Sequence, residues 1–476
     1  MVVAFLCGAC RSRGSVEDAA GASRPASLDA GDAAAPRLVL RGLRPGTRWA
    51  RESAHAVHWD APAAPPGTVA HVETSVDGGT TWEALGDVDA LDHRFVWTLP
   101  ATGPARARVR VTVAGASAEG PDVDLVPSTK RAYRLTRVSR ALPCGMRDGA
   151  GALVFKDRMW ILGGWNPKIF PRDTTNDVWS SGDGINWRLD KPNTFLKGRF
   201  DATRDWEGRH TAGYQVHDGK MWILGGDILQ HHYQTDVWSS SDGKVWQRVD
   251  IHGTELGDAS DPPSREVPQF GIRAWAMTGV LGGHLYIMGG QTNDGYVGRD
   301  WPGAPFAVFN DVWRSPDGAR WTRVETRGPM WEPRGIVSDC PVFQGRMWVV
   351  GGGTYDDGSA ATTHPREFRA DAWSTADGAS WRRETDDPPF TPRQYHNVAA
   401  YDDRLWVVGG YNALGNEGDV WYTDDGANWY SVPTPTEYAS RHAASVWVFK
   451  GALYVGLGNG HDKAGRSVAD LWRIAR

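Results

Sequence analysis

The sequence predicts an all-β chain, and three observations carry that prediction. Glycine (57) and tryptophan (25) are both abundant, as expected where short strands meet in tight turns and large aromatics fill the layers between sheets. An apolar stretch recurs six times: MWILGG at 159–164 and 221–226, LYIMGG at 285–290, MWVVGG at 347–352, LWVVGG at 405–410 and a looser LYVGLG at 453–458. Each is followed by an Asp-x-Trp, at 177–179, 236–238, 311–313, 371–373, 419–421 and 470–472. The net charge of −5 offers no basic field for nucleic acid. No apolar run reaches the roughly 18 residues of a membrane helix.

The chain opens MVVAFLCGAC, apolar and then small, with Gly8 and Ala9 just before Cys10. This resembles the end of a bacterial lipoprotein signal, in which the cysteine is acylated, although Cys7 stands where a branched aliphatic is usual. The resemblance implies export to the bacterial envelope or beyond, with the membrane touched only through a lipid on Cys10. Residues 11–36, rich in Ala, Gly, Ser and Asp, have too little apolar surface to bury a core, so 1–36 reads as signal and tether.

Residues 37–127 hold strand-like runs at short spacing. ARARVRVTV (105–113) alternates strictly, the period of a half-buried strand, and Trp59, Trp82 and Trp97 are expected in a core. The stretch resembles immunoglobulin- or fibronectin-type β-sandwiches. Its SVDGGTTW (75–82) matches the Asp-box of sialidases, a structural hairpin in that family. A spacer domain is the expectation.

From 128 to 476 the period of about fifty residues, with a glycine pair closing an apolar strand, resembles kelch repeats. The resemblance implies a six-bladed kelch-type β-propeller. The physics agrees. Each unit offers four short strands and Asp-Gly hairpin turns, and a single four-stranded unit cannot bury both faces without neighbours. First strands such as RDGAGALVF and RHAASVWVF are rich in small residues, as convergence on one axis demands. The sixth unit lacks a fourth strand, and AYRLTRV (132–138), similar to VWQRV (245–249) and RWTRV (320–324), is expected to supply it.

Links such as 250–271 and 291–309 are long and share one face, where recognition is usual. An arginine recurs there at the start of each first strand: Arg147, Arg209, Arg273, Arg334, Arg393 and Arg441. In kelch domains that bind acidic peptides, arginines at this position grip carboxylates. Pairing of each arginine with an acid or carbonyl stays open as the structural reading. Trp206, Trp275, Trp301 and Trp331 lie in or beside long links, where indole stacks on sugars or packs beneath its own loop. The expected function is therefore non-catalytic binding of a glycan or an acidic peptide or protein, with no catalytic residue, metal or cofactor.

Two enzymatic alternatives remain. A six-bladed kelch family of sialic-acid mutarotases exists, and an anion-binding mouth suits that substrate. Arg393-Gln394-Tyr395-His396 also resembles the copper-binding Tyr-His segment of galactose-oxidase-type enzymes, with His210 or His442 able to add an imidazole. The Tyr–Cys cross-link of that family fails on spacing. Cys340 lies six residues past its arginine and Tyr395 two, an offset of roughly 13 Å at about 3.3 Å per residue. The pair is read as structural. Cys144 and Cys340 fall in repeats one and four and are not expected to bridge.

Overall fold

A computed structural model describes residues 37–476 except 62–64, 199, 203, 228–232, 250–253, 256–265, 268, 272, 293–305, 338, 356–365, 464 and 466. Cys10 and Trp301 thus lie outside the described residues. The architecture is all-β, multi-sheet and propeller-like. The first repeat folds as an antiparallel meander of Gly151–Phe155, Arg158–Leu162, Val178–Ser181 and Trp187–Lys191. The next four repeats form the same meander, beginning at Gly213–His217, Met277–Leu281, Val342–Phe343 and Asn397–Tyr401. In the last, Ser445–Phe449, Ala452–Gly456 and Leu471–Ala475 are joined by Arg134–Ser139, with Arg134 opposite Ala475.

Local chemistry makes these meanders. In the turn before each fourth strand of the first five repeats, a serine or threonine hydroxyl accepts the glycine N–H, as Ser181 does from Gly184 at 2.8 Å. The aspartate between them accepts the next two backbone N–H groups: Asp183 takes those of Ile185 (2.8 Å) and Asn186 (2.7 Å). The following tryptophan closes the turn by donating to the glycine carbonyl, Trp187 to Gly184 at 3.0 Å. The same construction stands at 75–82, where Asp77 accepts from Thr80 and Thr81 and Trp82 donates to Gly79.

Neighbouring sheets lock through that turn. A Cβ on Gly243 would lie 2.2 Å from the ring of Trp160, and one on Gly318 would lie 2.2 Å from Trp222. Each is an aromatic of one repeat lying flat on the turn of the next, which only glycine permits. Trp406 of the fifth repeat meets Tyr133 instead, the residue before Arg134–Ser139.

Residues 37–127 bury a core of their own around Val57, Trp59, Val72, Val109 and Val111. They also contact the fifth repeat. Ala54–Asp60 bridges to the fifth repeat at Ala54–Trp429, Asn428 accepts the Ala50 N–H at 2.7 Å, and Arg94 donates to Pro388 O at 2.8 Å. Trp59 is buried as expected, whereas Trp82 and Trp97 are only part-buried. Among the described residues no helix is long and apolar enough to cross a membrane.

Candidate active site

The six arginines are interior groups. Each pairs with the aspartate of its own repeat's Asp-x-Trp: Arg147–Asp177 at 2.8 Å, Arg209–Asp236, Arg273–Asp311 and Arg441–Asp470 at 2.6 Å, Arg393–Asp419 at 2.5 Å, and Arg334–Asp371. No arginine side chain among them is more than 4% exposed. Each guanidinium also donates to a carbonyl beside the glycine pair, as Arg147 does to Gly163 at 2.8 Å. The aspartate's other oxygen accepts the indole N–H two residues on, Trp238 to Asp236 at 2.6 Å. Burial opposes charge on Asp236, yet Arg209 and this indole hold its carboxyl below the usual range. The Asp-x-Trp thus anchors the arginine, and the guanidinium is turned into the interior.

The tryptophans offered as sugar platforms fare likewise. Trp206 and Trp331 have no exposed surface and pack on Trp246 and Trp381, centroids 5.7 and 5.9 Å away. Trp275 is 3% exposed and lies 5.0 Å from Tyr355. These packings are those of residues beneath loops, not of a binding surface.

A collar of backbone lies two residues past each arginine. Gly149, Thr211, Trp275, Ile336, Tyr395 and Ala443 all have positive φ, between 47° and 66°. For the β-branched Thr211 and Ile336 this is a strained conformation. The strain is held by hydrogen bonds between repeats: Thr211 N–H to Gly149 O, Gly149 to Ala443, Ala443 to Tyr395, Tyr395 to Ile336 and Ile336 to Trp275, at 2.7–3.1 Å. One residue before the collar, each chain bridges to the residue after the glycine pair: Asp148 to Trp165, His210 to Asp227, Ala274 to Gln291, Gly335 to Gly353, Gln394 to Tyr411 and His442 to Asn459. This layer sits at the base of the links that follow the second strands, and its side chains are where the repeats diverge.

Three repeats supply acid–base groups to it. His210 Nδ1 lies 2.8 Å from Asp227 Oδ1, which also accepts from Thr211 Oγ1 at 3.0 Å. Burial works against a charged imidazole here, but Asp227 and Asp148 outweigh it and hold His210 up at about 9. His442 Nε2 lies 3.6 Å from Asp148 Oδ2, and its Nδ1 is 2.6 Å from Asn416 Oδ1. The Asn416 amide donates through Nδ2 to Asn459 O at 2.9 Å, so its oxygen must accept and His442 Nδ1 must carry the proton. The other ring nitrogen, Nε2, is the one that faces Asp148. Burial opposes charge on Asp148, yet His442, His210 and Asn459 hold it below the usual carboxylate range.

Aromatic rings wall the same mouth. Tyr395 and Tyr411 stand 5.4 and 5.5 Å from the His442 ring, and Trp165 stands 6.3 Å from His210. Arg366 lies over Tyr355 at 4.4 Å and over Tyr411 at 5.7 Å, adding a cation. Among the described residues no group of three or more His, Cys, Asp and Glu side chains is set to hold a metal ion.

Tyr395 and His396 part company despite their adjacency. Tyr395 turns toward His442, while His396 is fully buried with Nε2 2.8 Å from Val350 O. They share no ligand position. The sequence reading noticed His210 and His442 but passed over Asp148 and Asp227. The signal was positional: one residue after the arginine and one after the glycine pair, the repeats lose their likeness.

A family model described as the KLHDC2/KLHL20/DRC7 Kelch-repeats domain matches residues 274–475, less than half of the chain. No curated protein matches. Among solved structures the chain is similar to one entitled "Structure of YjhT", at 14% identity and a TM-score of 0.47, covering 70% of this chain and 96% of that one. The expectation of a purely non-catalytic module gripping a glycan or acidic partner through its arginines is corrected. Those arginines are held internally, and the layer beside them carries paired acids and imidazoles instead.

Proposed function

We propose that residues 128–476 form a six-bladed kelch-type propeller completed by 134–139, that 37–127 form a sandwich, and that the mouth above the collar is the active site of a sugar-active enzyme. Its reaction is interconversion of the anomers of an acidic sugar. The observation that carries this reading is the opposed pair of imidazoles. His210 is held charged by Asp227, and its Nε2–H makes no hydrogen bond among the described residues. His442 donates Nδ1–H to Asn416, and its Nε2 faces Asp148.

Anomer exchange needs that pairing. A base removes the proton of the anomeric hydroxyl, the electron pair of the ring C–O bond passes to the ring oxygen, and an acid protonates that oxygen. The open carbonyl turns and the steps reverse with no cofactor. His442, oriented by Asn416 and next to Asp148, serves as base and His210 as acid. Tyr411 and Trp165 offer faces to the sugar, and Arg366 is the cation for its carboxylate. Export with acylation of Cys10 belongs to the same proposal and rests on Gly8-Ala9-Cys10.

The test is exchange spectroscopy by NMR between the anomers of N-acetylneuraminate, glucuronate and galactose. The protein should accelerate exchange of the acidic sugars. His442→Gln and His210→Gln should each lower the catalysed rate on the order of 100-fold while keeping the native circular dichroism. Absence of acceleration for every sugar, or full rates in both variants, would overturn the assignment.

A further inference from the structure

Beneath the collar, on the strand side, the axis holds a cavity of about 400 Å³. None of the residues of the acid–base layer lines it; the collar forms its roof. Alanines at 150, 152, 212, 276, 399 and 444 keep it open, and valines at 154, 216, 280, 342 and 448 ring its far end. That volume is within the range of small-ligand pockets, roughly 300–1,000 Å³. Alanine and valine make up most of the wall, with Thr211, Tyr214, Gln215, Tyr395 and Asn397 adding polar groups and Asp339 a carboxylate.

Asp339 gets there by an irregularity that the other repeats lack. From the repeat arginine to the first residue of the apolar MW or LY pair is twelve residues in five repeats, as from Arg147 to Met159 or Arg393 to Leu405. It is thirteen from Arg334 to Met347. The extra residue breaks the ladder: the first strand here is only Val342–Phe343, against five residues in the other repeats. Bulges of one residue re-aim side chains and recur beside functional sites. The neighbouring repeat accommodates this one. Cys340 N–H donates to Thr278 O at 2.9 Å, and Gly279 leaves room where a Cβ would lie 2.7 Å from Cys340 O.

The bulge delivers a carboxylate with one oxygen unused. Oδ1 accepts from Gln215 Nε2 at 2.9 Å and from the Cys340 N–H at 3.0 Å. Oδ2 makes no hydrogen bond among the described residues, and no described Lys, Arg or His pairs with Asp339. Burial raises its carboxyl to about 6, with Gln215 and the Cys340 N–H only partly offsetting it. A charge in such a wall is costly without a partner, and the described residues provide none.

We infer that the cavity is a second ligand site, for a small organic ammonium with an apolar body whose N–H groups meet Asp339 Oδ2. The ligand's charge compensates the carboxylate and its body fills the alanine-lined space. The site is separate from the mouth above the collar, so the two assignments stand or fall independently.

The probe is hexylammonium, titrated calorimetrically against the full chain, with 1-hexanol and hexanoate as neutral and anionic controls. Hexylammonium should bind at least tenfold more tightly than either control. Asp339→Asn, which keeps the acceptor for Gln215, should weaken it at least tenfold. Ala152→Leu, which fills the cavity without touching the carboxylate, should weaken all apolar probes. Anomer exchange should be unchanged in Asp339→Asn. Equal affinity for the three probes, equal hexylammonium affinity in Asp339→Asn, undiminished binding in Ala152→Leu, or no binding to the native chain would each overturn the site.

Discussion

Tyr133 packs edge-on against Trp406, ring centroids 4.7 Å apart, and its hydroxyl donates to Asp402. It occupies the place that a turn glycine takes against Trp160 and Trp222. The strand that starts one residue later completes the last sheet, so this contact joins the early chain to the fifth repeat.

Tyr133→Ala should therefore act on the whole ring. Removing a buried aromatic costs on the order of 3–5 kcal/mol, and the urea midpoint should fall accordingly. Tyr133→Phe loses only the hydroxyl contact and should fall by much less. If Tyr133→Ala unfolds at the native midpoint, the contact does not close the ring.

The arginine–aspartate pairs make a second prediction, about stability. Breaking a buried pair from one side leaves an uncompensated charge, which costs about 3–5 kcal/mol. Arg209→Met and Asp236→Leu should each show a loss of that order. The double variant should be more stable than the sum of the two losses, because it buries no lone charge. A strictly additive cycle in chemical denaturation would refute this coupling.

A third prediction concerns pH, and the two buried acid–base groups push it in opposite directions. The native value for His210 lies above its unfolded one, about 9 against 6.5. Its contribution is complete below pH 6.5 and is lost as pH rises through 9. The destabilisation by His210→Asn should accordingly shrink between pH 6 and pH 9.5. Asp339 is a carboxyl raised to about 6 from 3.8, so it weakens the native state as pH climbs from about 4 to 6. Asp339→Asn should be neutral near pH 3.5 and stabilising at pH 7, by about 3 kcal/mol if the full difference is expressed. Thermal melts across pH 3.5–9.5 read both. Parallel curves for variant and native chain would contradict them.

Much of this fold is legible in the chain because strand chemistry repeats. The glycine pairs, the Asp-Gly turns and the tryptophans that close them each reflect a local hydrogen bond. Between ligand grip and internal pairing, the sequence alone leaves the arginines undecided, and the structure pairs each with its own repeat's aspartate. Arg209 and Asp236, like their five counterparts, recur in lockstep, and two opposite charges repeated together are candidates for each other. The acid–base layer was harder to see, since Asp148, His210, Asp227 and His442 meet only when distant repeats converge on one axis. The bulge at Asp339 was visible as a count, thirteen where the rest have twelve, although its direction into a cavity was not.

The pairing of Arg134–Ser139 with Leu471–Ala475 also sets a timetable. Thr136 and its partner Arg473 lie 337 residues apart. At ribosomal elongation rates of roughly 5–20 residues per second, the early strand waits on the order of tens of seconds for its mate. Throughout that interval its unpaired edge invites association with other chains. The intervening repeats can stack as they emerge, but closure is a late event, after the last strand leaves the ribosome. A nascent chain stalled before residue 471 would hold nearly all its sheets and still be open. Holding the early strand safely through that delay is a demand the mature ring no longer reveals.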